Sequence, residues 1–214
     1  MNKQIADIRK DYQKQSLLET DVATDPFEQF NKWWDEAIKS ELDEVNAMTL
    51  ATASVTGMPS ARIVLLKSVS TEGFIFFTNY NSRKGKELEE NPFACLVFFW
   101  KELERQIRIT GTIEKVSAGE SDEYFNSRPV GSRIGAWASP QSSIIPSRET
   151  IETNMVKYEK EFSGGEITRP SHWGGYIVKP TVIEFWQGRS NRLHDRLQYT
   201  KTESSVWKIE RLAP

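Results

Sequence analysis

The amino-acid sequence predicts an α+β fold, an antiparallel barrel or strongly curled sheet with helices packed outside it. Most of the short β-rich segments follow one another through tight turns, which favours antiparallel pairing, and the helical segments lie between groups of strands. A further observation argues against a common alternative. The chain contains neither a G-x-G-x-x-G nor a G-x-x-x-x-G-K-[ST] motif, so a doubly wound sheet with a nicotinamide dinucleotide or ATP site has no support.

Periodicity and turn residues set the order of the elements. Asp25 and Pro26 form a helix start, and apolar residues then recur on one face, so a helix is expected to run to about Leu42. Ser82 is expected to cap a second helix. Further helices are predicted from residue 117 to just before residue 129 and over 147–162, and strands over 47–54, 61–69, 73–79, 93–100, 105–116, 176–178, 181–186, 193–199 and 206–211.

Composition limits the classes of protein and of partner. The 214 residues include 28 Lys and Arg against 30 Asp and Glu, a formal net charge of −2, so no overall field attracts nucleic acid or an anionic membrane. The single cysteine, Cys95, is expected to be a buried, inert thiol. The N-terminus lacks the apolar region of a signal peptide, and no apolar run is long enough to span a membrane. We therefore expect a soluble, cytoplasmic, globular protein without nucleic-acid or membrane partners.

Basic residues cluster with small hydrogen-bond donors in several segments. Segment 185–196 places three arginines, His194 and Trp186 within twelve residues, a set that suits a flat anionic ligand but also fits an ordinary strand with solvated arginines. Segment 62–67 carries Arg62 and Lys67, which an undistorted strand would send to opposite faces. They could serve two anions, or one anion across a bulge, or simply be the charged ends of a core strand.

Two further segments have the composition of anion sites. In segment 77–85, a helix start offers free N–H groups to a phosphate, and Arg83 and Lys84 in its first turn oppose the helix dipole unless an anion lies there. In segment 124–133, hydroxyl and guanidinium groups around a Pro-Gly bend can converge on one phosphate, although basic residues at a helix C-terminus are the alternative explanation. The polar turn 139–143 and Gln106 are weak signals by themselves.

Together, these segments indicate a barrel with two phosphate-sized anion sites beside flat aromatic walls. A barrel this small is filled by its own side chains, so a large planar ligand would lie against its outside. Burying such a ligand requires a second protomer, and we therefore expect a symmetric dimer with sites at its interface.

Characteristic segments also follow one another in a fixed order along nearly the whole chain beyond about residue 25. They are 62–67, 76–84, 103–108, 124–129, 132–137, 141–142, 172–175, 185–188, 192–196 and 207–214. In sequence and order they resemble the pyridoxamine 5′-phosphate oxidase family, flavin enzymes of vitamin B6 metabolism. The departures are small: many relatives have Pro at the position of Val45, and Ser68 and Arg133 occupy variable positions.

This resemblance implies an FMN-binding split β-barrel that works as a homodimer, with FMN between the subunits. The residues it implies for FMN, some of them from the partner subunit, are Arg62, Ile63, Val64, Leu65, Leu66, Lys67, Phe77, Thr78, Arg83, Lys84, Gln106, Gln141, Ser142, Trp186 and Arg196. Those implied for the substrate are Lys67, Tyr124, Arg128 and Ser132 at its phosphate, Arg192, Leu193 and His194 at its pyridine ring, and Arg9 and Tyr12 in an N-terminal lid. Arg192 and His194 are also the implied catalytic residues. Residues 1–25 would form the mobile lid segment and 26–214 the FMN-binding domain.

The implied reaction oxidises the 4′ carbon of pyridoxamine or pyridoxine 5′-phosphate to the aldehyde of pyridoxal 5′-phosphate. A hydride passes to N5 of FMN, and O2 then takes the electrons and yields H2O2. For the amine substrate, hydrolysis of the resulting imine gives the aldehyde and releases ammonia. Holding both phosphates brings the donor carbon to about 3–3.5 Å from N5, which explains two anion sites in a chain without excess positive charge. A flavin reductase on the same barrel and a non-enzymatic carrier of pyridoxal 5′-phosphate remain alternatives. A metal hydrolase is not expected, because His172, His194 and Cys95 lack ligand spacing.

Overall fold

The computed structural model describes residues 7–8 and 10–214, which form nine β-strands and five α-helices. The helices are α1 (Pro26–Lys39), α2 (Arg83–Glu90), α3 (Ala118–Ser127), α4 (Val130–Ala138) and α5 (Glu149–Glu161). The strands are β1 (Ala47–Ala53), β2 (Pro59–Leu65), β3 (Ser68–Ser70), β4 (Gly73–Asn79), β5 (Phe93–Trp100), β6 (Arg105–Lys115), β7 (Trp173–Gln187), β8 (Asp195–Lys201) and β9 (Trp207–Arg211). None of the helices in these residues combines the length and the apolar character needed to cross a membrane.

The strands belong to one sheet with the order β2-β1-β5-β6-β7-β4-β3, and β8 pairs with β7 and with β9. The pairs β3–β4, β4–β7, β7–β8 and β8–β9 are antiparallel, as the short turns predict. In the β4–β7 register, Asn79 lies opposite Trp173, and in the β7–β8 register, Trp186 lies opposite Arg196. These two registers align the ends of strands that carry predicted site residues.

The chain forms two compact units, each assembled from separate segments. The first unit comprises Met1–Leu50, Cys95–Gly111 and Pro180–Pro214, and the second comprises Ala51–Ala94 and Thr112–Lys179. The strands β1, β5, β6 and β7 contribute residues to both units. The predicted site residues are therefore distributed over both units.

Helix α1 packs its apolar face within the first unit. Asp25 caps the helix by accepting a hydrogen bond from the N–H of Phe27 at 2.7 Å, as expected from the Asp-Pro start. On the buried face, the ring of Trp33 meets Phe185 of β7 edge to face with centroids 5.2 Å apart, and Phe185 contacts Tyr199 of β8 at 5.5 Å. This aromatic layer fixes β7 and β8, the two strands that flank segment 188–194.

One hydrophobic cluster of the second unit includes residues of α3, α4 and β7. Phe125 of α3, Ile134 of α4, Ile167 and Trp173 of β7 form one buried cluster. Residues of β4 and α5 pack against it, among them Phe77, which also lines the cavity described below. Packing thus fixes one wall of that cavity.

The structure corrects two predicted strand assignments. Segment 61–69 is not one strand, because β2 ends at Leu65 and β3 begins at Ser68. The N–H of Lys67 donates to the carbonyl of Ile75 at 2.8 Å, so the chain stays on the sheet while regular pairing is interrupted. The separate strands predicted over 176–178 and 181–186 are one strand, β7, which continues through Pro180.

Three other expectations were wrong. Helix α1 ends at Lys39 and does not reach Leu42, because Glu41 has a positive φ of 53° that stops the helix. The Pro-Gly bend at 129–131 is instead the start of a helix, α4, whose N-cap is Pro129. Cys95 is only partly buried, because strand alternation turns it away from the face that buries its neighbours on β5.

Candidate functional site

Most predicted site residues of the second unit line one cavity of about 450 Å³. Segment 63–67 forms one side of it, the end of β4 another, and the first turns of α2 and α4 bring further polar groups. Helix N-termini carry free N–H groups and a partial positive charge, so two such ends at one cavity favour an anionic ligand. The lining residues are Ile63, Val64, Leu65, Lys67, Phe77, Thr78, Asn79, Lys84, Tyr124, Arg128, Pro129, Ser132, Gln141 and Trp173.

Three aromatic rings form a nearly parallel stack that makes up one wall of this cavity. Phe77 stacks on Tyr124 with ring centroids 4.0 Å apart and on Trp173 at 5.6 Å, and the rings of Tyr124 and Trp173 lie within 9° of parallel. The absence of a side chain at Gly175 allows this arrangement, because a Cβ there would lie 2.8 Å from the Phe77 ring. An aromatic wall of this kind offers an apolar surface to a ligand in the cavity.

Two cations lie over this wall without a carboxylate partner in the described residues. The guanidinium of Arg128 lies 4.6 Å from the centre of the Trp173 ring, and the ammonium of Lys67 lies 5.9 Å from that of Tyr124. The Nη1 atom of Arg128 is buried and has no hydrogen-bond partner in this part of the chain. Burial lowers the pKa of Arg128, whereas Tyr124 opposes this shift. A buried guanidinium nitrogen without a partner fits a site that receives an anion such as a phosphate.

A third cation that lines the cavity, Lys84, is held by neutral acceptors. Its ammonium donates to Thr78 Oγ1 at 3.2 Å and to Gln141 Oε1 at 3.1 Å. Burial, followed by the nearby charge of Arg62, lowers the pKa of Lys84. Because neither acceptor carries a charge, these hydrogen bonds leave the positive charge of Lys84 in the cavity.

Arg62 and Arg83, both predicted to bind FMN, converge on the buried carboxylate of Glu87. Arg62 Nη2 lies 3.2 Å from Glu87 Oε2, and Arg83 Nε lies 2.8 Å from Oε1. Burial raises the pKa of Glu87, but hydrogen bonds from Ser60, Thr52 and the two arginines together lower it to about 2. Glu87 thus supplies one anion for Arg83, so its position in the first turn of α2 does not by itself require a ligand.

Two other predicted residues of the second unit do not line the cavity. Leu66 is 5 % exposed and belongs to the core, which leaves its backbone as the part that a ligand could reach. Ser142 follows the lining residue Gln141 and has a positive φ of 69°. Conversely, Asn79 and Trp173 line the cavity although neither was predicted as a site residue.

A second group of predicted residues lines a cavity of about 610 Å³ in the first unit. Arg192, His194 and Tyr12 all line it. Asn191 and Arg192 have positive φ values of 56° and 62°, a left-handed conformation that costs energy in residues with a side chain. Leu193 is 66 % exposed and lines a neighbouring cavity. The Arg9 position lies outside the described residues.

The ring of His194 is oriented by its neighbours. Its Nδ1 accepts a hydrogen bond from the N–H of Arg189 at 3.1 Å, so the neutral ring carries its proton on Nε2. The ring centre lies 4.5 Å from that of Trp186 and 6.1 Å from that of Tyr12. Burial and then the charge of Arg192 lower the pKa of His194. The neutral ring is therefore favoured near neutral pH.

The N-terminal segment 10–19 is attached to the first unit through specific contacts. Glu104, which is 2 % exposed, accepts hydrogen bonds from the N–H groups of Gln13 and Lys14 at 2.9 and 3.1 Å. The ring of Tyr12 packs so closely on Gly188 that a Cβ there would lie 2.6 Å from it. These contacts hold Tyr12 at the cavity that contains Arg192 and His194.

The remaining predicted residues, Gln106, Trp186 and Arg196, lie on the outward face of β6, β7 and β8 in the first unit. Trp186 and Arg196 are directly opposed in the β7–β8 register. Gln106 is half-buried, between the buried Arg105 and Ile107. The structure thus divides the predicted site residues into two groups, one in each unit.

Two family models match the chain. The model for pyridoxamine 5′-phosphate oxidase covers residues 34–160, and the model for the pyridoxine 5′-phosphate oxidase C-terminal dimerisation region covers residues 173–214. The chain belongs to the pyridoxamine 5′-phosphate oxidase family. Relatives in this family match it over almost their whole length. A protein named pyridoxine/pyridoxamine 5′-phosphate oxidase from Trichormus variabilis is 58% identical over 100% of both chains. One of the same name from Salinibacter ruber is 56% identical over 98% of this chain and 99% of its own.

A solved structure that is similar to this chain supports the fold. PhzG from Burkholderia lata 383, determined in complex with tetrahydrophenazine-1-carboxylic acid, superposes with a TM-score of 0.87 at 31% sequence identity. The match covers 94% of this chain and 98% of that one. The predicted fold class, an α+β antiparallel split β-barrel with surrounding helices, is confirmed.

Two features could have identified the missed residues: the register between paired strands and the pairing of opposite charges along a helix. Trp173 lies opposite Asn79, so the strand end that carries Thr78 also brings Trp173 to the cavity. Glu87 lies four residues after Arg83, a spacing at which opposite charges pair on a helix. The carboxylate of Glu184 has no comparable local signal, because its partners come from other strands.

Proposed function

We propose that the chain is an FMN-dependent oxidase that converts pyridoxamine or pyridoxine 5′-phosphate to pyridoxal 5′-phosphate, with O2 as the acceptor. One observation carries this proposal: a chain 58% identical over its full length to an oxidase of that name has an aromatic-walled cavity in which a buried guanidinium nitrogen of Arg128 has no partner among the described residues. The proposal extends to a cytoplasmic homodimer, with residues 1–25 as a lid segment and 26–214 as the FMN-binding domain. The match of the C-terminal dimerisation region supports the dimer.

FMN would be held by residues from both groups. Its phosphate would lie near the cations of segment 62–67 and the first turn of α2, where donors outnumber carboxylates. Gln106, Trp186 and Arg196 would contact its ring system, some of these contacts coming from the partner subunit. When bound, FMN would supply the redox chemistry by accepting a hydride at N5 and returning the electrons to O2, which yields H2O2. The full FMN set comprises Arg62, Ile63, Val64, Leu65, Leu66, Lys67, Phe77, Thr78, Arg83, Lys84, Gln106, Gln141, Ser142, Trp186 and Arg196.

The substrate phosphate would occupy the same second-unit cavity, on Lys67, Tyr124, Arg128 and Ser132. A phosphate there would give the buried Arg128 Nη1 the partner that it lacks among the described residues. Each charge-assisted hydrogen bond to such a phosphate contributes on the order of 1.5–3 kcal/mol. Binding strength would therefore come mainly from this end of the substrate.

The pyridine ring and its 4′ substituent would lie against Arg192, Leu193 and His194, with Arg9 and Tyr12 closing over them. Because Nδ1 of His194 already accepts a hydrogen bond, the neutral ring offers Nε2–H as a donor to the 4′ oxygen or nitrogen. The guanidinium of Arg192 stays charged and would stabilise negative charge that develops on the 4′ substituent. Orientation by these two side chains would set the geometry in which the 4′ carbon gives up its hydride.

An anaerobic half-reaction tests this proposal. Pyridoxamine 5′-phosphate, added without O2 to the FMN-loaded protein, should bleach the flavin absorption band, and pyridoxine 5′-phosphate should do the same. Pyridoxamine without the phosphate is the matched control and should bleach the band far more slowly at equal concentration. Bleaching by NADH but by neither phosphorylated substrate would identify a flavin reductase, and binding of pyridoxal 5′-phosphate without any bleaching would identify a carrier.

A further inference from the structure

Glu184 is a buried carboxylate on the side of β7 where strand alternation places outward-facing residues. Its neighbours Ile183 and Phe185 point into the core and are fully buried, so Glu184 belongs to the opposite face. Its side chain is nevertheless only 2 % exposed. A buried carboxylate is costly unless cations and hydrogen bonds compensate it, so its surroundings explain its presence.

Arg196 provides most of this compensation. Its Nε lies 2.9 Å from Glu184 Oε1 and its Nη2 lies 3.2 Å from Oε2, a bidentate pair. The third nitrogen, Nη1, donates to the carbonyl of Ala213 at 2.8 Å. Glu184 raises the pKa of Arg196 through these contacts. All three nitrogens of this guanidinium are therefore held in place before any ligand binds.

A second arginine shares the same carboxylate. Arg108 Nη2 lies 3.2 Å from Glu184 Oε2, while about half of the Arg108 side chain, 48 %, is exposed. The cluster of one carboxylate and two guanidinium groups carries one excess positive charge. Without Glu184, the two arginines would repel each other and Arg196 would lose two of its three contacts.

We propose that Glu184 is a positioning residue for FMN binding, acting through Arg196. This inference rests on the proposed function, in which Arg196 contacts FMN. Arg196 lies directly opposite Trp186, another residue of the proposed FMN set, and Gln106 projects from the same side of β6 as Arg108. Glu184 itself is covered by its arginines, so it orients a neighbouring donor without touching the cofactor.

The test is an FMN titration of the flavin-free full chain, followed by quenching of FMN fluorescence. Glu184→Gln keeps the size of the side chain but removes its charge, and it should weaken FMN binding about tenfold. Arg196→Met should weaken binding at least as much. In the double variant, the loss should equal that of Arg196→Met alone, because Glu184 acts only through Arg196.

Matched controls separate this role from general stabilisation. Arg108→Met removes the second cation but leaves the Arg196 pair intact, so it should change FMN affinity less than Glu184→Gln does. Glu152→Gln breaks an exposed Arg–Glu pair on α5, where Arg148 Nε lies 3.2 Å from Glu152, and should leave FMN affinity unchanged. Glu184→Asp retains the charge and should recover part of the affinity, which keeps the test decisive if Glu184→Gln does not fold.

Kinetics at saturating FMN give an independent readout. Under that condition, Glu184→Gln should keep the KM for pyridoxamine 5′-phosphate, since the substrate contacts are unchanged. Unaltered FMN affinity in both Glu184 variants, or losses that add in the double variant, would overturn the inference while leaving the proposed oxidase intact. A wild-type chain that bound no FMN would overturn both, and one that bound FMN without being reduced would overturn only the proposed reaction.

Discussion

Arg128 in the second unit and Arg196 in the first unit are both expected to bind a ligand, but their surroundings differ. Arg128 is packed on the ring of Trp173, and its buried Nη1 has no hydrogen-bond partner in the described part of the chain. Every nitrogen of Arg196 is paired, with Glu184 and with the Ala213 carbonyl. An unpaired buried cation gains its partner only when an anion binds, whereas a paired one is oriented beforehand. The first arrangement favours binding strength, and the second favours geometry.

The largest loss of activity is expected on substitution of Arg192, which is neither buried like the Arg128 nitrogen nor paired like Arg196 in the described residues. It is exposed, its φ is +62°, and no carboxylate pairs with it among residues 7–8 and 10–214. Arg192→Met should reduce turnover about 100-fold or more, because it removes a charged group that stabilises the reacting end of the substrate. FMN content should stay unchanged. Turnover and the ratio of flavin to protein absorbance measure the two effects, and Arg148→Met on the surface is the control. Equal losses of turnover and FMN would contradict the assignment.

A substitution of Arg128 tests whether this side chain contributes mainly to binding of the substrate phosphate. Arg128→Met should raise the KM for pyridoxamine 5′-phosphate roughly 10–100-fold, the loss expected for hydrogen bonds to a charged phosphate. Its melting temperature should be equal to or above that of the wild type, because a guanidinium nitrogen without a partner is removed from a buried position. FMN affinity should not change. A clear loss of stability would show that Arg128 is mainly structural.

Much of this fold could be predicted from local signals. The caps at Asp25, Ser82 and Ser117 are correct, and each side chain accepts the backbone hydrogen bond that its position predicts. The antiparallel pairing also follows from turn spacing. The missed helix α4 begins at Val130, after its N-cap Pro129, where the pattern Arg-Pro-Val-Gly resembles a bend. Tertiary packing of Ile134 stabilises the helix there.

The site was harder to predict because its members depend on pairing across strands. The prediction that Lys67 and Tyr124 share a site agrees with a cavity that both residues line, but it came from family resemblance. Propensity cannot show that β2 ends at Leu65 and leaves Lys67 between strands. Nor can it show that Glu184 lies under two arginines, since those partners are distant in sequence.

The second unit also contains a buried carboxylate paired with two arginines, namely Glu87 with Arg62 and Arg83. Glu87→Gln leaves Arg62 and Arg83 without their shared carboxylate, so the free energy of unfolding at pH 7 should fall by on the order of 1–3 kcal/mol. FMN affinity should fall by a few-fold, much less than in Arg196→Met. Urea unfolding measures the first effect, with Glu152→Gln as the exposed control. Unchanged stability would mean that the arginines find other partners.

The same variant predicts a pH dependence with a defined sign. The pKa of Glu87 in the folded state, about 2, lies below its ordinary value of 4.5. Its ionised form therefore stabilises the fold above pH 4.5, and this contribution is lost as the pH falls from 4.5 towards 2. The stability difference between wild type and Glu87→Gln should shrink over that interval. A difference that stays constant down to pH 3 would contradict the proposed ion pairs.

The smallest effect is expected on substitution of Glu104. Its carboxylate accepts hydrogen bonds from backbone N–H groups, whereas Glu184 and Glu87 bind arginine side chains. Glu104→Gln keeps an acceptor oxygen for the N–H of Gln13 or Lys14 but loses the charge that strengthens both hydrogen bonds. A loss of about 1 kcal/mol should raise the rate of tryptic cleavage after Lys14 roughly fivefold, because cleavage follows the population in which the segment is detached. Because that segment carries Tyr12, the substrate KM should rise by no more than the same factor, while FMN affinity stays constant. Glu102→Gln is the matched control, since that carboxylate is half-exposed and pairs with Lys101 at 3.3 Å. Equal cleavage rates in the two variants would mean that packing of Tyr12 on Gly188, and not the buried carboxylate, holds the segment in place.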